Sequence, residues 1–149
     1  MRNHDVMRNK GPSSGMTIDH VQLAMPPGNE STARAFYVGV LGFEEVPKPA
    51  HLLQRGGAWF RCGDAALHVG VDEAFVPAKK AHPALRLHAY DEVVESCRAH
   101  GVDVLIDEHL FEGARHCYVS DPFGNRIELI AQDPTVVNHQ REAHEDDVK

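Results

Sequence analysis

The feature that most constrains the fold of this chain is an internal repeat with a period of roughly 60 residues. A strand at 18–24 with apolar residues at alternate positions leads into a helix, and three short apolar segments separated by turn residues follow. The same order returns in the second half, starting with a strand at 83–89. The glycines that end the two helices, Gly42 and Gly101, are 59 residues apart. The sequence therefore predicts two strand–helix–strand–strand–strand units.

Each predicted helix has one apolar stripe with helical spacing. The first helix can be capped by Ser31 or Thr32, and its stripe consists of Ala33, Phe36, Tyr37, Val40 and Leu41. The second is capped by Asp91, and its stripe consists of Tyr90, Val93, Val94 and Cys97. One helix and one sheet of about 55 residues bury too little apolar surface to be stable alone. The two halves must therefore pair, within one chain or across a dimer.

These patterns predict an α+β fold of two βαβββ repeats, at about 16–72 and 81–132, within a single domain over 16–132. Residues 1–15 are polar and lack periodicity, which predicts a disordered leader. Residues 133–149 are polar and rich in charge, which predicts a flexible tail.

The bulk properties narrow the classes of partner. Of the 149 residues 42% are hydrophobic and 25% charged, as in ordinary globular proteins, and the formal net charge is −7. A negative chain lacks the basic face that nucleic acid requires. No apolar run reaches the roughly 20 residues of a membrane span, and no signal peptide is visible. The three cysteines have no paired spacing, which favours reduced core thiols and a cytoplasmic location.

The repeat puts four candidate metal ligands at equivalent positions. His20 and His82 open the first strand of each unit and are 62 residues apart, whereas His68 and Glu128 lie in the last strands and are 60 residues apart. Strand alternation directs all of them away from the helices. The same alternation puts two further polar side chains on that face, Gln22 and Arg86.

Two histidines and one carboxylate suit a single divalent ion such as Zn²⁺, Fe²⁺, Mn²⁺, Ni²⁺ or Co²⁺. Three protein ligands leave positions open for substrate, as in a catalytic site. One histidine at a strand edge is more often a surface residue, so the prediction depends on the joint placement of His20, His82 and Glu128. His68 is a candidate fourth ligand.

Several segments resemble the vicinal oxygen chelate superfamily, which includes glyoxalase I, fosfomycin resistance proteins, extradiol dioxygenases and bleomycin resistance proteins. The resemblance covers about 16–132 and is strongest in the ending YVSDPFGNRIEL. It implies that the repeats form a cupped mixed sheet with helices on the outer face and one divalent metal in the cup. The implied ligands are His20, His82 and Glu128, with His68 at the fourth position. The resemblance also implies a small-molecule substrate, Lewis-acid chemistry and a homodimer.

Departures from the family patterns separate the possible activities. A glyoxalase-like lyase or isomerase is favoured, although Ala24 and Asp72 replace residues that bind glutathione in bacterial glyoxalase I. Fosfomycin modification is disfavoured, because Gln22 stands where a threonine is usual. An extradiol dioxygenase is the second reading, with His109 and Tyr118 as catalytic residues. A bleomycin-resistance-like binding protein is the third, and the retained ligands argue against it.

Four residues are predicted to contact the substrate: Gln22, Trp59, Arg86 and Arg115. Aromatic residues in strands more often belong to the hydrophobic core, and a core position is therefore the alternative for Trp59. The alternative for Arg115 is a structural role, and for His109 an exposed loop position. These alternatives stay open at the level of the sequence.

Overall fold

The computed structural model describes residues 15–132 and contains two modules of the same order. The first comprises β1 (Val21–Met25), α1 (Glu30–Tyr37), β2 (Glu44–Val46), a 3-10 helix (Ala50–Arg55), β3 (Ala58–Cys62) and β4 (Ala65–Val71). The second comprises β5 (Ala84–Leu87), α2 (Tyr90–Ala99), β6 (Leu105–Phe111), β7 (Ala114–Ser120) and β8 (Arg126–Ala131). The predicted leader and tail concern residues outside this range, apart from Gly15.

The two modules have the same sheet topology. The strand order is β1-β4-β3-β2 in the first sheet and β5-β8-β7-β6 in the second, with β1 parallel to β4, β5 parallel to β8, and the other pairs antiparallel. The predicted α+β fold of two βαβββ repeats is confirmed. Over residues 15–132 the strands form two separate sheets that do not close on one another. No helix in this range is long and apolar enough to cross a membrane.

Alternation along the strands separates a core face from an open face in each sheet. The core face carries buried apolar residues that pack with the helices, including Phe60, Leu67, Cys117, Ile127 and Leu129. All five stripe residues predicted for α1 and its C-terminal turn are buried. The intervening strand residues project to the opposite side, which we call the open face. The predicted ligands belong to this face.

Both helices begin one or two residues before the predicted caps. The first starts at Glu30, where the carboxylate Oε1 accepts a hydrogen bond from the Gly57 amide at 2.9 Å. Asn29 occupies the N-cap position, but its side chain donates to the carbonyls of Pro26 and Pro27 instead of capping the helix. In the second helix Asp91 lies in the first turn, not at the cap. Tertiary contacts thus override local capping signals.

The second strand of the second repeat also differs from the prediction, because the short apolar segment that predicts it in the sequence covers 102–106. Instead β6 covers Leu105–Phe111 and continues into a tight turn to β7. Glu112 and Gly113 have φ of 48° and 82° in this turn, a conformation that glycine adopts without penalty. The pairing of β6 with β7 also shifts register between Asp107 and Phe111. Such an irregular hairpin leaves little alternation in the sequence to detect.

A buried hydrogen-bond network joins the two modules, and we call it the inter-module lock. The Tyr37 hydroxyl donates to Asp121 Oδ2 at 2.7 Å, and burial raises the Tyr37 pKa well above its usual range, as does this carboxylate. The Asn125 amide donates to the same oxygen at 2.7 Å and to the Ala24 carbonyl at 2.8 Å. These bonds connect α1 and β1 to the turn before β8. The relative position of the modules is therefore specified by satisfied buried polar groups.

The cysteine prediction is correct for two residues of the three. All three are free, with Cys97 and Cys117 buried and Cys62 exposed. Burial raises the pKa of Cys97 to about 11, so this thiol stays protonated near neutral pH. The two buried thiols pack in the core, and Cys62 lies at the end of an antiparallel strand.

Candidate metal centre

Equivalent rows of side chains cross the open faces of the two sheets. In the first module the register aligns Gln22, His68 and Trp59 on neighbouring strands. In the second module it aligns Ala84, Glu128 and Tyr118 in the same way. His68 therefore corresponds to Glu128 and Trp59 to Tyr118, as the sequence period predicts. His20 and His82 precede the first strands of the two sheets, so they occupy equivalent positions too.

In the second module two predicted ligands lie side by side. His82 Nε2 is 3.4 Å from Glu128 Oε2. The other ring nitrogen, Nδ1, lies 2.7 Å from the Lys80 carbonyl. Because a carbonyl only accepts hydrogen bonds, Nδ1 carries a hydrogen, which leaves Nε2 as the ring nitrogen that can bind a metal. The main chain therefore sets the tautomer that a metal ligand needs.

This pair fits a divalent cation. Two ligands about 2.1 Å from one ion, at a tetrahedral angle, are about 3.4 Å apart. The His82–Glu128 distance has this value. The two side chains are 21% and 9% exposed, so the donors are accessible but largely desolvated. Imidazole and carboxylate are the ligands expected for Zn²⁺, Fe²⁺, Mn²⁺, Ni²⁺ or Co²⁺.

In the first module the corresponding pair is a stack of rings. His20 and His68 have centroids 4.1 Å apart, and Trp59 stacks on the other side of His68 at 4.0 Å with an interplanar angle of 1°. Burial lowers the pKa of His68 below its ordinary value of 6.5, and the neighbouring His20 lowers it further. The neutral imidazole, which is the form that binds metal, is thereby favoured. A cavity of about 430 Å³ lies beside this stack.

His20 is oriented by a neighbouring carboxylate. Its Nδ1 is 2.7 Å from Asp19 Oδ1, and the hydrogen bond from His20 lowers the pKa of Asp19. An ionised Asp19 accepts the Nδ1 hydrogen, which leaves Nε2 of His20 as the ring nitrogen that can bind a metal. A carboxylate behind a ligating histidine is a common arrangement around protein-bound metals. Both strand-opening histidines thus offer the same nitrogen.

The structure forms these pairs separately and does not bring the whole predicted set together in one chain. His82 contacts Glu128, and His20 contacts His68. Within residues 15–132 no three His, Cys, Asp or Glu side chains are arranged to hold a metal ion. Each module thus contains half of the predicted ligand set.

The two predicted catalytic residues have different surroundings. The Tyr118 ring lies on the open face of β7, with its centroid 5.6 Å from that of His82. The His109 side chain is 97% exposed and contacts only Asp107, at 3.3 Å, among the described side-chain partners. Its ring is therefore in solvent, while its backbone carbonyl contacts His116.

The two predicted arginines also separate. Arg115 donates to both carboxylate oxygens of Asp91, at 2.8 and 3.0 Å, and its guanidinium lies 5.1 Å from the Tyr90 ring centroid. It therefore lies beside α2, away from the open face that carries Tyr118. Arg86 lies on the open face, donates to Glu112 at 3.1 Å, and packs over Phe111.

Two open-face residues were missed by the sequence analysis. His116 is 5% exposed, and its Nδ1 lies 2.6 Å from Glu128 Oε1. The Arg126 guanidinium lies 3.9 Å from the ring centroid of Tyr118. Both could have been found by strand alternation, because they are two residues before Tyr118 and Glu128 respectively. The remaining substrate candidates, Gln22 and Trp59, line the cavity of the first module.

Comparisons with known proteins agree with this architecture. A family model described as the Glyoxalase/Bleomycin resistance protein/Dioxygenase superfamily matches residues 17–129. The chain is similar to a glyoxalase family protein from Bacillus anthracis of known structure. The two are 44% identical with a TM-score of 0.75, over 89% of this chain and 100% of the other. A comparison with curated protein sequences gives no match.

More distant structures share the fold. A lactoylglutathione lyase from Agrobacterium tumefaciens is 21% identical, with a TM-score of 0.60 over 83% of this chain and 98% of the other. The fosfomycin resistance protein FosX from Listeria monocytogenes is 20% identical, with a TM-score of 0.61 over 82% and 96%. At such identities the similarity concerns the fold and not the substrate.

Proposed function

We propose that this chain, which belongs to the Glyoxalase/Bleomycin resistance protein/Dioxygenase superfamily, is a divalent-metal-dependent enzyme acting on a small oxygenated organic molecule. A glyoxalase-like lyase or isomerase is the favoured activity. The observation that carries the proposal is the 3.4 Å separation of His82 Nε2 and Glu128 Oε2. Such a pair on a partly shielded sheet face matches the distance and chemistry of two ligands on one ion.

The proposed ligand set is His20, His82 and Glu128, with His68 as the fourth member. Since the two pairs do not meet within one described chain, the proposal puts the complete site between two copies. The first module of one copy would face the second module of the other, and a two-fold axis would generate two equivalent sites. The proposed assembly is therefore a homodimer with shared sites.

The metal would supply Lewis-acid polarisation of substrate oxygens. Around it, Tyr118 is the proposed group for proton transfer at its hydroxyl, because it lies on the open face beside His82. Gln22 and Trp59 line the cavity of about 430 Å³ in the first module. That size is within the range of small-molecule sites. Arg86 would contact substrate at the edge of the second module.

The proposed setting is cytoplasmic, with a small molecule and a second copy of the chain as partners. The three free cysteines are typical of a reducing compartment. The net charge of −7 disfavours nucleic acid.

The alternative activities receive less support. An extradiol-type dioxygenase would use Tyr118, but the exposed ring of His109 removes one of its two expected catalytic residues from the site. A drug-binding protein of the bleomycin-resistance type would have no need for the His82–Glu128 pair. Oxygen uptake with a catechol and Fe²⁺ would favour the dioxygenase. A metal-free protein that binds an aromatic drug would favour the third function.

Elemental analysis of the full chain, purified without a metal-chelating column, tests the proposal. We expect stoichiometric divalent metal in the wild type and its loss in His82→Ala and in Glu128→Ala. His51→Ala, an exposed histidine in the 3-10 helix, is the matched control and should keep the metal. A wild type that neither contains nor takes up Ni²⁺, Co²⁺, Zn²⁺, Mn²⁺ or Fe²⁺ would contradict the proposal.

A further inference from the structure

His116 is buried beside the proposed metal ligands, and both of its ring nitrogens have partners. The side chain is 7% exposed. Nδ1 lies 2.6 Å from Glu128 Oε1, and Nε2 lies 2.8 Å from the His109 carbonyl. Asp107 Oδ2 lies 3.6 Å from the same Nε2. Burial and a hydrogen bond at each ring nitrogen therefore hold the imidazole of His116 in one orientation.

The partners determine the direction of each hydrogen bond. The carbonyl of His109 can only accept, so Nε2 carries a hydrogen. A ligating Glu128 must be ionised, and then Nδ1 must carry a hydrogen as well. A charge-assisted hydrogen bond to one carboxylate oxygen is short, as the 2.6 Å distance is.

The two oxygens of Glu128 are thereby divided between two partners. Oε1 receives the hydrogen bond from His116, while Oε2 faces His82 at 3.4 Å. A carboxylate held in this way has one oxygen left for a metal, and its orientation is fixed before any ion arrives. We propose that His116 is a positioning residue that orients Glu128 for monodentate metal binding. This inference rests on the proposed function.

Only the second module has this arrangement. His116 lies two residues before Tyr118 on β7, and Gly57 occupies the corresponding position before Trp59. A side chain at Gly57 is excluded, because an added Cβ would lie 2.3 Å from the Val69 carbonyl oxygen. The first module thus supplies a ligand from its last strand without such an anchor. This difference between the modules follows from the two ligand types. A carboxylate such as Glu128 has two oxygens that can bind a metal, whereas a neutral imidazole such as His68 has only one nitrogen that can do so.

Two substitutions of His116 by amides can distinguish a role in orienting Glu128 from a role in packing alone. In His116→Asn the amide nitrogen can take the place of Nδ1 and donate to Glu128, but the contact with the His109 carbonyl is lost. In His116→Gln the amide nitrogen can take the place of Nε2 and donate to that carbonyl, but Glu128 loses its donor. Metal-free wild type and both variants would be titrated with Co²⁺ by calorimetry. Thermal unfolding of the metal-free proteins would be measured in parallel to check folding.

We expect Co²⁺ affinity within about threefold of wild type for His116→Asn, and a loss of about 10- to 100-fold for His116→Gln. Equal affinity of His116→Gln and wild type would overturn the inference, and so would equal losses in both variants, since these indicate packing alone. If His116→Gln unfolds too easily to titrate, the Co²⁺ absorption spectrum of His116→Asn decides: a spectrum unlike that of wild type contradicts the inference. A wild type that binds neither Co²⁺ nor Ni²⁺, Zn²⁺, Mn²⁺ or Fe²⁺ would instead contradict the proposed function and this inference with it.

Discussion

The two modules have one backbone plan and two different chemistries. Both place an imidazole before the first strand and a second donor in the last strand of a parallel pair. In the first module the donors His20 and His68 are stacked rings covered by Trp59. In the second, His82 and Glu128 are held by hydrogen bonds, to a main-chain carbonyl and to His116 respectively. The duplicated scaffold thus determines where the proposed ligands lie, and local contacts determine how each is oriented.

The largest expected effect concerns what the two modules share, which is the inter-module lock. Asp121 is 4% exposed and accepts hydrogen bonds from Tyr37, from the Asn125 side chain, and from two backbone amides. Asp121→Ala leaves these buried donors unsatisfied, so we expect the free energy of unfolding in urea to fall by at least about 3 kcal/mol. Asp64→Ala, in the exposed turn between β3 and β4, should change it by less than about 0.5 kcal/mol. Similar effects of the two variants would mean that the lock does not join the modules.

The next largest effect is expected on Co²⁺ affinity, when the proposed ligands in the last strands of the two modules, Glu128 and His68, are substituted. Glu128→Gln removes the only carboxylate of the proposed set. Loss of a residue that only hydrogen-bonds a metal ligand lowers affinity by up to about 100-fold, and we expect Glu128→Gln to lower Co²⁺ affinity by more than that. His68→Gln removes a neutral fourth ligand, and the expected loss is about tenfold. Calorimetric titration of both variants measures the ratio. Equal losses would show that the two modules contribute alike, which contradicts the difference drawn between them.

A smaller effect concerns pH. Because burial lowers the pKa of His68 in the folded protein below 6.5, the unfolded chain binds more protons than the folded chain just below that pH. The free energy of unfolding of the metal-free protein should therefore fall as the pH drops through this window, and the contribution is fully present above it. His68→Gln should show a shallower pH dependence in urea titrations. An unchanged slope would show that burial does not favour the neutral ring of His68.

The smallest effect is expected at Arg115. Its guanidinium pairs with Asp91 at an exposed position beside α2, so Arg115→Ala should leave Co²⁺ affinity and substrate affinity unchanged. Asp91→Ala is the matched variant and should behave in the same way. A marked loss of metal or substrate binding in Arg115→Ala, but not in Asp91→Ala, would contradict this location and indicate that Arg115 belongs to the site.

Features with a regular period could be predicted from the sequence. The 62- and 60-residue spacings of the proposed ligands agree with the register of the two sheets, because side-chain alternation and strand pairing follow directly from residue number. The sequence also predicts strands at 58–62 and 126–131, where short apolar segments lie between clear turn signals, and these are the bounds of β3 and β8. The stripe of α1 was predictable for the same reason.

Features set by contacts between distant residues could not be predicted. The start of α1 depends on a hydrogen bond from Gly57, and the orientation of Glu128 on His116. The location of Arg115 depends on a partner in the next helix. Nothing in the linear sequence determines whether the halves of a site face each other in one chain. That depends on the inter-module lock, which comes from single residues at distant positions without a period.

The most direct test of the central claim, that each chain contributes half of a shared metal site, is complementation between two defective chains. His20→Ala and Glu128→Ala would carry different affinity tags, be co-expressed, and be isolated as the mixed dimer. If the site is shared, one of its two sites combines an intact first module with an intact second module. Elemental analysis should then find one ion per mixed dimer and none in either mutant homodimer. A mixed dimer without metal, beside a wild type that binds it, would contradict the account.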